Sequence, residues 1–216
     1  MMKKLILVIF LVSFSTVFPA FEVDVVGQLS AVTGFPILDS QTVKINGSTE
    51  VRPDLSVQIG YMLPMQNGLK GISLLGDVGI EQTTIGITYP GDKKIVNKES
   101  GLSMGLGFTT KFVIGNVNSL IPRDTVLGVG VGAKALIYAP NIVLTMTPPP
   151  ISIYLKALVE QRFFISRQLA FIVGLNLYVD YMLPMTYKVD QLFMGYFVTS
   201  YLDLGIGLSV GLHFGN

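Results

Sequence analysis

The chain has 216 residues, no cysteine, a formal net charge of +1, and only 13% charged residues. Soluble domains carry about 25% charged residues, so a mean hydropathy of +0.59 leaves too little charge to cover a dissolved surface. The missing cysteine excludes a disulfide scaffold, a lipoprotein and thiol chemistry, and a near-neutral balance excludes a nucleic-acid patch.

Residues 1–20 read as a targeting segment. Lys3 and Lys4 precede the apolar run LILVIFLV, and Phe18-Pro19-Ala20 offers a processing site. This is the layout of a secretory signal peptide, with cleavage expected after Ala20 and a single domain over 21–216. Beyond residue 20, Gly, Pro or a charge interrupts every apolar stretch before it reaches the length of a spanning helix. A chain too apolar for water and without a spanning helix fits a transmembrane β-barrel, whose strands need only about 9–11 residues.

Period-2 alternation is the test, because successive strand residues face opposite sides. Eight segments show it. In FEVDVVGQLSAV (21–32), Phe21, Val23, Val25 and Leu29 alternate with Glu22, Asp24, Gln28 and Ser30. LSVQIGYML (55–63) and GISLLGDVGIE (71–81) follow, the second with Asp77 and Glu81 on its polar parity. GLSMGLGFTTKF (101–112) sets Lys111 and glycines against Leu and Phe, and VLGVGVGAKALIY (126–138) sets Lys134 and Tyr138 against Val and Ala. ISIYLKALVE (151–160) carries Tyr154, Lys156 and Glu160 on its polar face, and LAFIVGLNLYVDY (169–181) carries Tyr178 and Asp180. The last, LGIGLSVGLHF (204–214), alternates without a break and ends on His213 and Phe214. Eight is even, and it is the smallest count at which such barrels close.

Short periplasmic turns and longer extracellular loops should alternate. Residues 64–70 and 162–168 are short connections, whereas 113–124 is long for a turn. The loops over 33–50, 88–100, 139–150 and 182–200 carry turn residues, with Asn46-Gly47 suited to a hairpin tip. The pentapeptide YMLPM occurs at 61–65 and at 181–185. In both copies a tyrosine on the lipid parity reaches the interface and a proline then stops strand pairing. Tyr61, Tyr181 and Phe214 are therefore expected as interface anchors.

The whole of 21–216 resembles, as a pattern, the small eight-stranded bacterial outer-membrane β-barrel proteins, of the OmpA, OmpX and OmpW kind. The sharpest piece of that resemblance is the alternating last strand leading to an aromatic, here Phe214, followed by Gly215 and Asn216. The resemblance implies outer-membrane localisation, with membrane lipids and the outer-membrane assembly machinery as partners. It also implies a structural role or a narrow conduit for a small hydrophobic or polar solute. An adhesin or partner-binding scaffold presented by the loops is the alternative, and a secreted lipocalin-like β-barrel a more distant one.

Toward the lumen, Asp77, Glu81, Lys111, Lys134, Lys156, Glu160 and Asp180 are expected to form a charge network. Glycine columns should leave room for Tyr138, Tyr154 and Tyr178 to cross. At the closing seam, Glu22 and Asp24 should meet His213 at the periplasmic rim. No catalytic group is expected, since the single histidine lies at the periplasmic end. One histidine and scattered carboxylates give no metal-ligand spacing, and nothing calls for a cofactor.

Overall fold

The computed structural model describes residues 21–38, 49–65, 69–87, 97–116, 122–138, 150–188 and 196–215. The expected signal peptide and the Asn46-Gly47 tip lie outside these residues. Nine strands are described: β1 (Phe21–Leu38), β2 (Thr49–Pro64), β3 (Gly71–Ile87), β4 (Asn97–Asn116), β5 (Arg123–Tyr138), β6 (Ile151–Phe164), β7 (Leu169–Met182), β8 (Met185–Lys188) and β9 (Tyr196–Phe214). Each of β1 to β6 pairs with its successor, β7 pairs with β9, and β9 pairs back to β1, always antiparallel. The sheet therefore closes as an eight-stranded up-and-down barrel. The four-residue β8 adds a short ladder on the upper part of β9.

Alternation decides which face is which. Leu29, Leu106, Leu155 and Leu208 point outward, and Leu208 is 69% exposed. Their inward neighbours Ser30, Gly107, Tyr154 and Ser209 face the interior. In water such an exterior would be a costly apolar surface. Against lipid it is the required one, and closure leaves no unpaired strand edge in the hydrocarbon. Among the described residues no helix is long and apolar enough to cross a membrane.

Four sequence expectations need correction. The strands run 14 to 20 residues, apart from β8, well past the alternating cores. The connection over 113–124 accordingly shortens, because Gly115 pairs with Asp124 and Asn116 with Arg123. Tyr138 does not cross the lumen. The register between β4 and β5 shifts at Leu102/Ser103, and Tyr138 ends 61% exposed. The second YMLPM interrupts pairing at Leu183-Pro184 rather than ending it, since β8 resumes at Met185. Finally, Phe214 is enclosed, packed with Phe21 and Val23 against Val25, Val57 and Leu169. Tyr61, by contrast, stays half exposed and meets Phe21 edge to face at 5.6 Å.

Candidate functional site

The lumen is filled by side chains from every strand, in two charged layers. The lower layer lies near the periplasmic end and centres on Lys111 of β4. Its ammonium donates to Asp24 Oδ2 on β1 at 2.8 Å and to both Glu160 oxygens on β6 at 2.9 Å. β1, β4 and β6 stand on different sides of the barrel, so this one side chain ties three walls together. Arg162 Nη2 donates to the same Asp24 oxygen at 3.1 Å and its Nη1 lies 3.5 Å from Glu22. His213 places Nδ1 2.6 Å from Asp24 Oδ1 and Nε2 3.9 Å from Glu22.

Lys111, Arg162, Asp24 and Glu22 are all at or below 1% exposure. Three carboxylates here face two permanent cations and one imidazole. Burial of such charges is tolerable only when each is paired and hydrogen-bonded; Lys111, Asp24 and Glu160 meet that condition, while Glu22 Oε2 and Arg162 Nε have no hydrogen-bond partner among the described residues. On the adjoining arc, Met62, Val113, Val126 and Leu158 pack into an apolar cluster, and Leu75 and Ile172 are fully buried. Salt bridges thus occupy one side of the periplasmic half and hydrocarbon the other.

The upper layer is acidic. Lys134 donates to Glu81 at 2.5 Å and to Asp180 at 2.9 Å. Its ammonium also lies 5.2 Å and 5.1 Å from the ring centres of Tyr154 and Tyr178, within cation–π range. Lys156 pairs with Asp77, which also accepts from Thr109 at 2.8 Å and from Gln58 at 3.3 Å. Arg52 joins Glu50, Glu81 and Asp203. Two like-charged pairs sit directly across strands, Asp54 opposite Glu81 and Asp180 opposite Asp203. Such pairs repel, and Lys134 and Arg52 offset part of that repulsion. Six carboxylates (Glu50, Asp54, Asp77, Glu81, Asp180, Asp203) thus face three cations.

Glycine makes the tyrosines fit. A Cβ on Gly205 would lie 2.5 Å from Tyr178 Cε1, and one on Gly107 would lie 3.0 Å from Tyr154 Cζ. Within the upper layer remains a cavity of about 60 Å³, lined by Asp54, Asp77, Glu81, Lys134, Tyr154 and Tyr178 among others. That is room for a few waters.

The expected lumen charges therefore divide. Lys111 and Glu160 join Asp24, Glu22 and His213 below, while Asp77, Glu81, Lys134, Lys156 and Asp180 gather above. Arg162, Arg52, Asp54 and Asp203 lie beyond the alternating segments, where a strand only as long as the membrane is thick would already have stopped. Parity held the signal: residue 162 continues the inward series 154, 156, 158, 160, and residues 52 and 54 continue 56 and 58.

No protein-family model and no curated protein matches the chain. Among solved structures it is similar to the outer membrane protein OprG from Pseudomonas aeruginosa at 10% identity and a TM-score of 0.58, covering 91% of this chain and 96% of OprG. Neisserial surface protein A aligns at 10% identity over 87% and 96% of the two chains with a TM-score of 0.39. The outer membrane protein AlkL, solved in DMPC bilayers, aligns at 16% identity over 88% and 89% with a TM-score of 0.37. The likeness to OprG is one of fold. Together with the closed sheet, the apolar exterior and the charged interior, it makes this chain an integral outer-membrane β-barrel.

Proposed function

We propose that the barrel is closed along its axis and serves the outer membrane as a structural wall element that presents its extracellular end. The observation that carries this reading is the crossbar from Asp24 through Lys111 to Glu160, fully buried and anchored on three strands. A hydrated ion crossing that level would have to displace buried, mutually paired charges, which costs several kcal/mol per broken pair. The His213–Asp24 contact belongs to the same closure. His213 is 1% exposed and enclosed by Glu22, Asp24 and the ring of Phe164, so a structural role suits it better than proton transfer to a substrate.

A narrow conduit for a small solute is the second reading, favoured by the charged cavity above the crossbar. Proteoliposome swelling separates the two. Glycine or a small sugar in the bath should swell liposomes carrying the refolded protein no faster than empty ones. Swelling proportional to protein content would favour the conduit instead.

A further inference from the structure

Arg123, at the periplasmic start of β5, is a charged side chain on the outward face of the barrel. It is exposed, and its cross-strand neighbour on the same face is Phe163 of β6. Above it on that parity come Thr125, Leu127, Val129 and Val131, the apolar band. Arg167 stands exposed in the next turn, between β6 and β7, beside Ile165, which is 68% exposed. Neither arginine has an ion-pair or hydrogen-bond partner among the described residues.

Asp124, the next residue along β5, cannot neutralise Arg123. As the next strand residue it faces inward, is buried, and accepts from Lys70 Nζ at 2.9 Å. Lys70 is held there further by the ring of Phe164, 4.8 Å from its ammonium. Both guanidinium groups are thus unpaired among the described residues, Arg123 across from Phe163 and Arg167 in the turn that holds Ile165. A guanidinium presents a planar fork of donors that matches a phosphate bidentately. At the periplasmic rim of a barrel, the phosphates at that depth belong to phospholipid headgroups. Ile165 and Phe163 would then contact the upper acyl chains while the arginines hold the headgroup.

We propose that the β5–β6–β7 side of the periplasmic rim binds an anionic phospholipid, with Arg123 and Arg167 on its phosphate and glycerol headgroup. This rests on the reading of the chain as a membrane barrel and adds a lipid preference to one side of it.

The experiment inserts the refolded barrel into nanodiscs of phosphatidylcholine with a minor fraction of phosphatidylglycerol. Native mass spectrometry then counts the lipids that stay bound. Wild type should retain phosphatidylglycerol above its bulk fraction. Arg123→Gln and Arg167→Gln should each lower that enrichment about fivefold, the equivalent of about 1 kcal/mol per basic residue at a membrane surface. The double variant should lose it. Arg123→Lys should keep part of it, and gel mobility with and without heating confirms that each variant is folded. Retained lipid matching the bulk mixture in wild type, or unchanged enrichment in the folded double variant, overturns the proposal. So does displacement by inorganic phosphate, which would mean a site for any phosphate. Failure of the wild type to enter nanodiscs at all would instead undo the membrane reading.

Discussion

Replacing Lys111 with methionine keeps the length of the side chain but removes the ammonium that holds the lower layer together. Asp24 would keep Arg162 at 3.1 Å and His213 at 2.6 Å. Glu160 would lose both of its hydrogen bonds to Lys111, each 2.9 Å, and stay 2% exposed. A buried charge stripped of its partner costs about 3–5 kcal/mol, so that is the loss expected for Lys111→Met. Neutralising the stranded carboxylate should recover much of it. Lys111→Met with Glu160→Gln should therefore be more stable than Lys111→Met alone, with a coupling of about 1–3 kcal/mol between the sites. Reversible urea unfolding in lipid vesicles, followed by circular dichroism and by gel mobility, gives all four corners of the cycle. A single variant within about 1 kcal/mol of wild type, or a double variant no more stable than the single, would refute the crossbar as a paired, load-sharing element.

His213→Ala leaves Asp24 with its two cations, so the same unfolding assay should record a smaller loss, about 1–3 kcal/mol, the cost of a stripped buried partner. Arg at Leu175 or Val131, both outward and exposed, should cost about 2–4 kcal/mol near the bilayer midplane; no penalty at either would reverse the assignment of faces. Gly205→Leu would drive side-chain atoms into the Tyr178 ring and should cost about 1–3 kcal/mol in the same unfolding assay. Gly27→Ala is its control: a Cβ there meets nothing closer than Val210 O at 3.9 Å, so its midpoint should shift by less than about 0.5 kcal/mol.

The barrel was legible because alternation is a local property that each strand carries in its own residues. Leu204 to Phe214 needed no partner to be read, and the eight segments so found are the eight that close. What alternation does not encode is where a strand stops. Arg162 reads as a turn residue after Glu160, yet pairing with Ile172 keeps it in β6 and points it inward. Arg52 and Asp54 sit beside Pro53, a poor ladder residue, and Pro53 nonetheless pairs with Leu29 on β1. Tyr138 kept the lumen parity in sequence, but the register shift opposite Leu102/Ser103 breaks the count just before it. The division of the charges into two layers depends on register across strands far apart in sequence, as with Lys111 and Asp24, and no local pattern holds that information.

The closed axis is tested most directly by single-channel recording of the refolded wild-type protein in planar lipid bilayers. With the Asp24–Lys111–Glu160 crossbar intact, the protein should give a flat baseline in concentrated salt at either polarity, indistinguishable from a protein-free membrane. Discrete conductance steps of constant size, recurring with each insertion, would contradict it.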